Sequence, residues 1–572
     1  MIDDVLRETA RRWAEQDPDP ETQAEIRKLL EADDPELAER FAGPLVFGTA
    51  GLRGILGAGE SRMNRAVVRR TSAGLAAYLL AAVPDAAERG VVVGYDARRQ
   101  SDVFAEETAR ALAAAGIAVH LSETRCPTPV VAFAVRELGA AAGVMVTASH
   151  NPPEYNGYKV YADNGAQIIP PVDGAIAAAI AAAPGASAIP LAEPDDPRIR
   201  RFGELLLRAY LDRCLALVGE GPGRDLAIAY TALHGVGQQL VTRVFGDAGF
   251  TGLHPVPEQG EPDGRFPTVR FPNPEEPGAM DLVLAKAKAT DAALVLANDP
   301  DADRLAAAVR TAPGDYRLLT GNELGVLLGA IALERADAER PLLVTTIVSS
   351  PMLGKLAADR GVRFAQTLTG FKWIENRALE LEASEGVTLV FGYEEALGYA
   401  VGQAVRDKDG ISAALVLAAA AAELHTRGET LLHELERLER RHGLFASGQR
   451  SLHFPGADGP ATMARLMEGL RDAAPTSMAG LPVLATTDVK RGERRDAKGA
   501  VTTIELPTSD VVILELEGGH RVLARPSGTE PKVKIYADAR EPVAEGEPNA
   551  DARGRAQARV EALLEAMATL LR

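Results

Sequence analysis

Residues 141–157, AAGVMVTASHNPPEYNG, carry the clearest structural signal of the chain. An apolar run opens without a break onto a polar segment, which is typical of a buried strand that ends at a functional loop. The same succession occurs at residues 91–95, 226–230 and 293–297, and helical patterns such as residues 103–115 lie between the strands. This alternation of strands and helices predicts α/β domains.

The composition indicates a folded, acidic protein. The chain has 572 residues, of which 46% are hydrophobic and 25% charged, and this length predicts three or four domains. Its 62 basic and 80 acidic side chains give a net charge of −18, which argues against a general nucleic-acid or anionic-membrane binder. The two cysteines fit no disulfide framework or zinc pattern, and the longest apolar stretch, residues 411–424, is too short for a membrane helix. We therefore expect a cytoplasmic enzyme, and an anionic substrate would require positive charge concentrated in one cleft.

The chain divides into blocks of different character. A Pro/Ala/Asp-rich zone at residues 184–197 resembles a linker. After residue 444 the α/β alternation gives way to alternating strand patterns and an amphipathic helix at residues 551–572, for which Asp551 is the expected N-cap. The expected domains are residues 1–197, 198–315 and 316–442, all α/β, and residues 443–572, which are α+β.

The polar segment that follows the strand at residues 141–147 displays a serine. Two prolines and an Asn-Gly pair follow Ser149, so its hydroxyl is held on a rigid loop rather than a mobile one. An ordinary Ser/Asn/Pro turn after a strand is the alternative. The segment lacks the G-x-S-x-G elbow, which disfavours a serine hydrolase.

A second strand, residues 293–297, opens onto Asp299-Pro300-Asp301-Ala302-Asp303-Arg304. Carboxylates at positions i, i+2 and i+4 of an extended loop can converge on one hard cation, because alternate side chains share a side. An EF-hand is excluded, since Arg304 and Arg310 stand where that loop needs glycine and glutamate. A solvated acidic turn is the alternative, but the buried strand before it and the arginine after it favour a site for Mg²⁺.

A third segment, Arg525-Pro526-Ser527-Gly528-Thr529-Glu530-Pro531, lies between two predicted strands. Its glycine lets backbone N–H groups face an anion, while Ser527 and Thr529 add hydroxyl donors and Arg525 adds a planar fork. The segment predicts a phosphate-binding loop, with an ordinary polar hairpin turn as the alternative. No P-loop motif occurs in the chain.

Further loops supply charged groups. The Gly-rich segment GTAGLRG presents Arg53, and the segment GYEEALGY presents the paired carboxylates of Glu394 and Glu395. These carboxylates can accept hydrogen bonds from sugar hydroxyls, or they belong to a surface turn. Cations in the same block come from Thr369-Gly370-Phe371-Lys372 and from residues 406–410, RDKDG.

Taken together and in this order, TASHNP, DPDADR, GYEEALGY and RPSGTEP resemble the motifs of the α-D-phosphohexomutase superfamily, the phosphoglucomutase and phosphomannomutase enzymes. The resemblance runs from Gly48 to Pro531 and covers nearly the whole chain. It implies an α/β fold in which three related mixed-sheet α/β domains and a smaller C-terminal α+β domain surround a central cleft. The last domain would close on the substrate phosphate.

The resemblance also implies a role for each motif residue. Ser149 would carry the phosphoryl group. The phosphoserine together with Asp299, Asp301 and Asp303 would hold Mg²⁺. Arg53, Lys159 and Arg304 would line the reaction centre, and Lys159 and His150 are both candidates for moving the hydroxyl proton. The residues implied to bind the substrate are Arg304, Thr369, Gly370, Lys372, Glu394, Glu395, Lys408, Arg525, Ser527, Gly528 and Thr529.

The implied reaction interconverts glucose 1-phosphate and glucose 6-phosphate through a bisphosphate, with glucose 1,6-bisphosphate or a related sugar bisphosphate as activator. Hexose-specific members commonly read Glu-x-Ser in the segment that corresponds to GYEEALGY, residues 392–399, which we call the sugar loop, whereas this chain has Ala396 at the serine position. That departure resembles the branch that includes phosphopentomutase and glucose-1,6-bisphosphate synthase, so ribose, deoxyribose or mannose phosphates are alternatives. A serine-nucleophile phosphatase and a non-enzymatic sugar-phosphate sensor are competing classes. We expect a monomer or homodimer whose partner is a small sugar phosphate, and no nucleic acid or membrane.

Overall fold

The computed structural model describes residues 2–46, 51–456, 458–527 and 532–572. The chain forms two compact units. The first comprises Met1–Leu319, Gly370–Leu379 and Leu397–Gly428, and the second comprises Thr320–Thr369, Glu380–Ala396 and Glu429–Arg572.

The first sheet of the first unit is six-stranded and mixed, in the order β1-β5-β4-β2-β3-β6. Its strands are β1 Leu52–Ile55, β2 Val91–Tyr95, β3 Val119–Ser122, β4 Ala142–Val146, β5 Tyr155–Ala162 and β6 Ile199–Phe202. The helices of this block are α1 Asp4–Gln16, α2 Pro20–Glu31, α3 Glu36–Arg40, α4 Arg65–Ala82, α5 Ala86–Arg89, α6 Ser101–Ala114, α7 Thr128–Glu137 and α8 Val172–Ala182. The central strands β2 and β4 are parallel, and β4 is buried along its whole length, as its continuous apolar run predicts.

The second sheet of the first unit is five-stranded, in the order β11-β10-β9-β7-β8. Its strands are β7 Ile228–Thr231, β8 Leu253–Pro255, β9 Leu294–Ala297, β10 Ala306–Ala312 and β11 Asp315–Leu318, and its helices are α9 Glu204–Ala216, α10 Gln238–Asp247 and α11 Asp281–Ala289. The strand β7 pairs in parallel with β8 and β9, whereas β10 pairs antiparallel with β9 and β11. Both sheets therefore place the carboxyl end of a buried central strand, β4 or β9, directly before a polar loop.

The third block contributes to both units. Its strands are β12 Pro341–Thr346, β13 Arg363–Thr367, β14 Thr388–Glu394 and β15 Gly398–Val401, and its helices are α12 Gly321–Arg335, α13 Met352–Arg360, α14 Phe371–Glu385, α15 Gly410–His425 and α16 Leu431–His442. In the second unit, β12 pairs in parallel with β13 and β14. The apolar stretch at residues 411–424 forms α15, a buried helix of the first unit. Within the described residues, no helix is both long enough and apolar enough to cross a membrane.

The C-terminal block of the second unit is an antiparallel sheet with helices, in the order β16-β23-β22-β21-β18-β19-β20, and β17 pairs with β18. Its strands are β16 Leu444–His453, β17 Ser477–Met478, β18 Leu481–Asp488, β19 Glu493–Asp496, β20 Val501–Thr503, β21 Val512–Leu516, β22 Arg521–Pro526 and β23 Lys532–Glu541, and its helices are α17 Gly459–Asp472 and α18 Asn549–Leu570. Leu563, Leu564 and Met567 of α18 are buried in the core of this block. Short 3₁₀ turns occupy Ala186–Ala188, Pro257–Gln259 and Glu517–Gly519.

The predicted fold class, three α/β blocks followed by a sheet-rich C-terminal block, is confirmed by these sheets. The structure differs from the sequence expectation at two places. The strand β6 extends the first sheet to residue 202, beyond the expected boundary at residue 197. The last helix begins at Asn549, so Asp551 is not its N-cap. Asp551 lies in the first turn instead, where the helix dipole stabilises a carboxylate.

Candidate active site

The serine loop, residues 147–155, follows directly after β4. Ser149 has φ +51°, a left-handed conformation that costs a non-glycine residue about 1 kcal/mol, so the loop needs local support. Part of that support comes from Thr147, whose hydroxyl oxygen accepts a hydrogen bond from the Ser149 amide at 2.8 Å and donates one to Asp96 at 2.7 Å. The Ser149 hydroxyl is therefore displayed from a fixed backbone.

Arg98, which follows β2, binds the backbone of the serine loop. Its guanidinium donates to the carbonyl oxygens of Ser149 at 2.5 Å, Pro152 at 2.8 Å and Tyr155 at 3.1 Å, and also to that of Asn151. One buried arginine thus satisfies four main-chain acceptors of the loop. Sequence reasoning did not single out Arg98, although an arginine directly after a buried strand is a signal that could have found it.

The metal loop, residues 299–304, follows β9. Asp299, Asp301 and Asp303 are buried, and one carboxylate oxygen of each lies within 4.8 Å of the others. The Ser149 hydroxyl donates to Oδ2 of Asp299 at 2.7 Å, across 150 residues of sequence. The structure therefore brings the predicted carboxylates together and places them beside the predicted serine.

Two lysines oppose the aspartates. Nζ of Lys159, on β5, donates to Oδ2 of Asp301 at 2.8 Å and to Oδ2 of Asp303 at 2.9 Å. Nζ of Lys408 lies 3.2 Å from the same oxygen of Asp303. Burial would lower the pKa of Lys159, but the two carboxylates together outweigh burial and raise that pKa above its usual value. Lys159 therefore stays protonated and acts as a counter-charge.

The partners of each aspartate decide its pKa. Burial, with Asp301 and Asp303 as neighbours, raises the pKa of Asp299 well above its usual value. Burial acts in the same direction at Asp301, but the charge of Lys159 and hydrogen bonds from Lys159 and Thr128 outweigh it and lower the pKa of Asp301. Asp301 is therefore ionised more readily than Asp299.

The unsatisfied oxygens of the loop test whether a metal ion fits here. Oδ1 of Asp301 and Oδ1 of Asp303 are buried and have no hydrogen-bond partner among the described residues. A buried carboxylate oxygen without a partner is costly, and a hard cation is the partner that such oxygens prefer. The donor set of the three aspartates therefore fits Mg²⁺.

Three further predicted residues surround the serine. Nδ1 of His150 lies 3.1 Å from the Ser149 hydroxyl. Burial, with Arg304 and Arg53 as neighbours, lowers the pKa of His150 well below its usual value. Arg53 donates to the Asn151 side chain at 2.8 Å, and burial beside Arg304 lowers the pKa of Arg53 to about 10. The serine therefore has a neutral imidazole and cationic guanidiniums near it.

The other predicted residues are divided between the two units. Gly370, Lys372 and Lys408 belong to the first unit, and Thr369, Glu394, Glu395, Arg525 and Ser527 belong to the second. Gly528 and Thr529 lie outside the described residues. Within the first unit, Lys408 lies over the Phe371 ring at 5.3 Å, close to the start of α14.

In the second unit, the sugar loop is held by the strand end that precedes α13. Glu395 accepts hydrogen bonds from Ser349 at 3.0 Å and from Thr346 at 3.3 Å. Burial and Glu395 raise the pKa of Tyr536 to about 12, against the opposing effect of Arg525. Tyr536, which sequence reasoning missed, therefore lies near residues of both the predicted sugar loop and the predicted phosphate loop.

Two more residues of the first unit were missed. Thr128 donates from its hydroxyl to Oδ2 of Asp301 at 2.6 Å. Asp407 accepts hydrogen bonds from Tyr161 at 2.8 Å and from Gln167 at 2.7 Å, and its other oxygen lies 3.3 Å from Nζ of Lys408. The sequence signal for Thr128 is its position between two prolines, and the signal for Asp407 is its position within RDKDG.

Comparison with known proteins agrees with this geometry. Models of phosphoglucomutase/phosphomannomutase α/β/α domains I, II and III match residues 44–185, 208–314 and 320–438. The chain is 40% identical over 482 residues to the Haemophilus influenzae protein named "Probable phosphomannomutase", covering 84% of this chain and 93% of that one. It is 36% identical over 583 residues to human phosphopentomutase, covering 95% and 92%. It is 37% identical over 506 residues to a Staphylococcus epidermidis phosphoglucomutase, covering 88% and 92%. The chain therefore belongs to the phosphoglucomutase/phosphomannomutase family within the α-D-phosphohexomutase superfamily, and it is a mutase of the intramolecular phosphotransferase class.

Proposed function

We propose that the protein interconverts the 1-phosphate and the terminal phosphate of an aldose through a phosphorylated Ser149, with glucose as the preferred sugar. One observation carries the proposal. The Ser149 hydroxyl lies 2.7 Å from Asp299 in a buried cluster of three aspartates that Lys159 opposes. A hydroxyl held this way suits a phosphoryl group that must be accepted and returned at one fixed point.

The transfer step exchanges one ester bond for another. The bond between Oγ and phosphorus in phospho-Ser149 breaks while a bond forms between phosphorus and a free sugar hydroxyl, which yields a sugar bisphosphate and unmodified serine. The hydroxyl proton passes to the departing Oγ. We assign that relay to His150 rather than to Lys159, because Nδ1 of His150 lies 3.1 Å from Oγ, whereas Lys159 is engaged with the aspartates. The second phosphate of the same sugar then returns to Ser149, so nothing is consumed.

Charge balance explains why so many cations surround the serine of an acidic protein. A phosphoserine adds about −1.5 to −2 charges, and three ionised aspartates would add three more. Lys159 and Lys408 oppose the aspartates, and Arg53 and Arg304 lie beside the serine loop. Mg²⁺ held by the three aspartates and the phosphoserine would supply further positive charge to the transferring oxygens. The protein's own cations bind and orient the phosphoryl group for either direction of transfer.

The residues proposed to contact the sugar and the distal phosphate lie in the sugar loop, around the start of α14 and in the phosphate loop. Glu394 and Glu395 would accept hydrogen bonds from sugar hydroxyls, and Thr369, Gly370 and Lys372 would separate the two substrate orientations. The distal phosphate would bind Arg525, Ser527, Gly528 and Thr529. A single distal site must accept the phosphate from either end of the sugar, because the bisphosphate is used in two orientations.

A pentose phosphate is the second candidate substrate. Ala396 in the sugar loop is partly exposed and has no hydroxyl with which to contact a second sugar hydroxyl. Among the relatives, the human protein that matches 95% of this chain is named phosphopentomutase. Both observations support a sugar site that is less selective for hexoses.

Initial rates on glucose 1-phosphate, mannose 1-phosphate and ribose 1-phosphate, with Mg²⁺ and glucose 1,6-bisphosphate, test the proposal. We expect the highest kcat/KM for glucose 1-phosphate, and intact-mass measurement should find one phosphate on Ser149.

The Ala396→Ser variant should raise the glucose-to-ribose ratio of kcat/KM by about threefold to tenfold, the effect of one added hydrogen bond. If kcat/KM is higher for ribose 1-phosphate than for glucose 1-phosphate, the preferred substrate is a pentose phosphate. Release of inorganic phosphate without isomerisation would identify a phosphatase, and an unphosphorylated protein without turnover would identify a sensor.

A further inference from the structure

Thr128 lies at the first position of α7, after the CP dipeptide that follows β3, and it contacts the metal loop at two points. Its amide N–H donates to the main-chain oxygen of Asp301 at 2.9 Å, and its hydroxyl donates to Oδ2 of the same residue at 2.6 Å. Nζ of Lys159 lies 3.4 Å from the Thr128 hydroxyl oxygen. Because that oxygen accepts from the ammonium, its own proton is directed to Asp301.

The two oxygens of Asp301 therefore have separate roles. Oδ2 receives hydrogen bonds from Thr128 and Lys159, whereas Oδ1 is buried and has no partner among the described residues. Asp303 shows a similar division, since its Oδ2 accepts from Lys159 and its Oδ1 has no hydrogen-bond partner in the same part of the chain, with Nε of Arg304 3.9 Å away. Each of these aspartates consequently offers a cation one oxygen and not two.

This division favours a small ion. Ca²⁺ takes six to eight oxygens and often binds carboxylates through both oxygens, whereas Mg²⁺ has near-octahedral coordination and uses one oxygen from each of a few carboxylates. A side chain that donates to Oδ2 of Asp301 therefore disfavours coordination of Ca²⁺ through both oxygens of this carboxylate. The first N–H group of α7, that of Thr128, also donates to the main chain of Asp301, so the helix start and the Thr128 hydroxyl hold this residue together.

We propose that Thr128 is a positioning residue for the metal site, which holds Asp301 as a one-oxygen ligand and so sets the preference of the site for Mg²⁺ and Mn²⁺ over Ca²⁺. The proposal rests on the metal loop of the proposed function and extends it to metal selectivity. Thr128 acts through Asp301 and has no direct part in phosphoryl transfer.

Calorimetric titration of the full-length, metal-free, unphosphorylated protein with Mg²⁺, Mn²⁺ or Ca²⁺ tests this role without measuring activity. Thr128→Val removes the hydroxyl and keeps the shape of the side chain, and Thr128→Ser restores the hydroxyl. We expect Thr128→Val to weaken Mg²⁺ and Mn²⁺ binding about 10-fold, the usual effect of losing a partner of a metal ligand. Ca²⁺ binding should change less than about twofold, because Oδ2, which then has Lys159 as its one remaining donor, becomes more available as a second ligand oxygen. Thr128→Ser should bind all three ions like the wild type.

Two controls separate the possible failures. Thr124→Val changes an exposed threonine of the same segment and should leave metal binding unchanged. Asp301→Asn should weaken all three ions. If Thr128→Val leaves the Mg²⁺-to-Ca²⁺ affinity ratio unchanged, or if Thr128→Ser alters it equally, the role of Thr128 is overturned. If the wild type binds none of the three ions and Asp301→Asn changes nothing, the metal site itself fails, and the proposed function fails with it. Thr128→Ala carries the same test if circular dichroism shows that the valine variant does not fold.

Discussion

The serine loop and the phosphate loop are both proposed to bind phosphate, yet they are built differently. Ser149 is 3% exposed, and its loop is fixed by four hydrogen bonds from Arg98 and by the Thr147–Asp96 pair. Arg525 and Ser527, at the end of β22, are partly exposed instead. Ser149 is therefore a buried centre on a fixed backbone, whereas Arg525 and Ser527 are partly accessible to solvent.

The contrast corresponds to two tasks. A phosphoryl group transferred at one point needs atoms held within a fraction of an ångström, and buried hydrogen bonds such as those from Arg98 provide that order. A site that receives either of two phosphates on one sugar needs donors that can adapt, and partly exposed arginine and serine side chains do so. Changes in the serine loop should therefore reduce kcat, and changes in the phosphate loop should raise KM.

The largest expected effect is that of Ser149→Ala. The variant should lose at least about 10⁴-fold in kcat, the usual scale for removing a nucleophile, and should carry no phosphate by intact-mass measurement. Its fold should persist, because alanine carries the same Cβ at the left-handed φ of +51°. Ser187→Ala, at an exposed serine, is the matched control and should behave like the wild type. If Ser149→Ala retained turnover, Ser149 would not carry the phosphoryl group, and the proposed difference in task between the two loops would be wrong.

A smaller effect is expected for Arg98→Lys. Lysine keeps the charge but cannot place donors on four carbonyl oxygens at once, so the serine loop should shift. A displacement of about 1 Å at a reacting atom costs on the order of 10²-fold, and we expect that loss in kcat with KM changed less than about threefold. The neighbouring Arg99 is exposed, so Arg99→Lys should leave both constants unchanged. An Arg98→Lys enzyme with normal kcat would mean that the serine loop holds its shape without this arginine.

Much of the fold follows from local sequence patterns. The apolar runs at residues 91–95 and 293–297 predicted strands that the structure has at β2 and β9. The spacing of Asp299, Asp301 and Asp303 also predicted their convergence, because three carboxylates on alternate positions of one loop need no distant partner to meet.

The parts that sequence reasoning missed depend on contacts between distant segments. Thr128 meets Asp301 across 173 residues, and Arg98 meets the serine loop across 51 residues or more. A threonine between two prolines and an arginine after a buried strand mark these positions locally, but the distant segment that each one contacts is set by the packed structure. The edge strand β6, IRRF, is short and its two arginines are exposed, which leaves little apolar pattern to predict it.

The smallest of the three effects is expected for Arg525→Ala, which changes the phosphate loop and should act on KM rather than on kcat. Loss of a charged hydrogen bond to phosphate costs about 1.5–3 kcal/mol, so KM for glucose 1-phosphate should rise about 10- to 100-fold while kcat changes less than about threefold. The phosphate on Ser149 should remain, because the serine loop keeps its contacts. The bisphosphate should escape more often, so the variant should need more added glucose 1,6-bisphosphate for full activity. Arg495→Ala, at an exposed arginine of the same block, is the control and should leave KM unchanged. A large loss of kcat at unchanged KM would contradict the contrast, because Arg525 would then act on the transition state as the serine loop does.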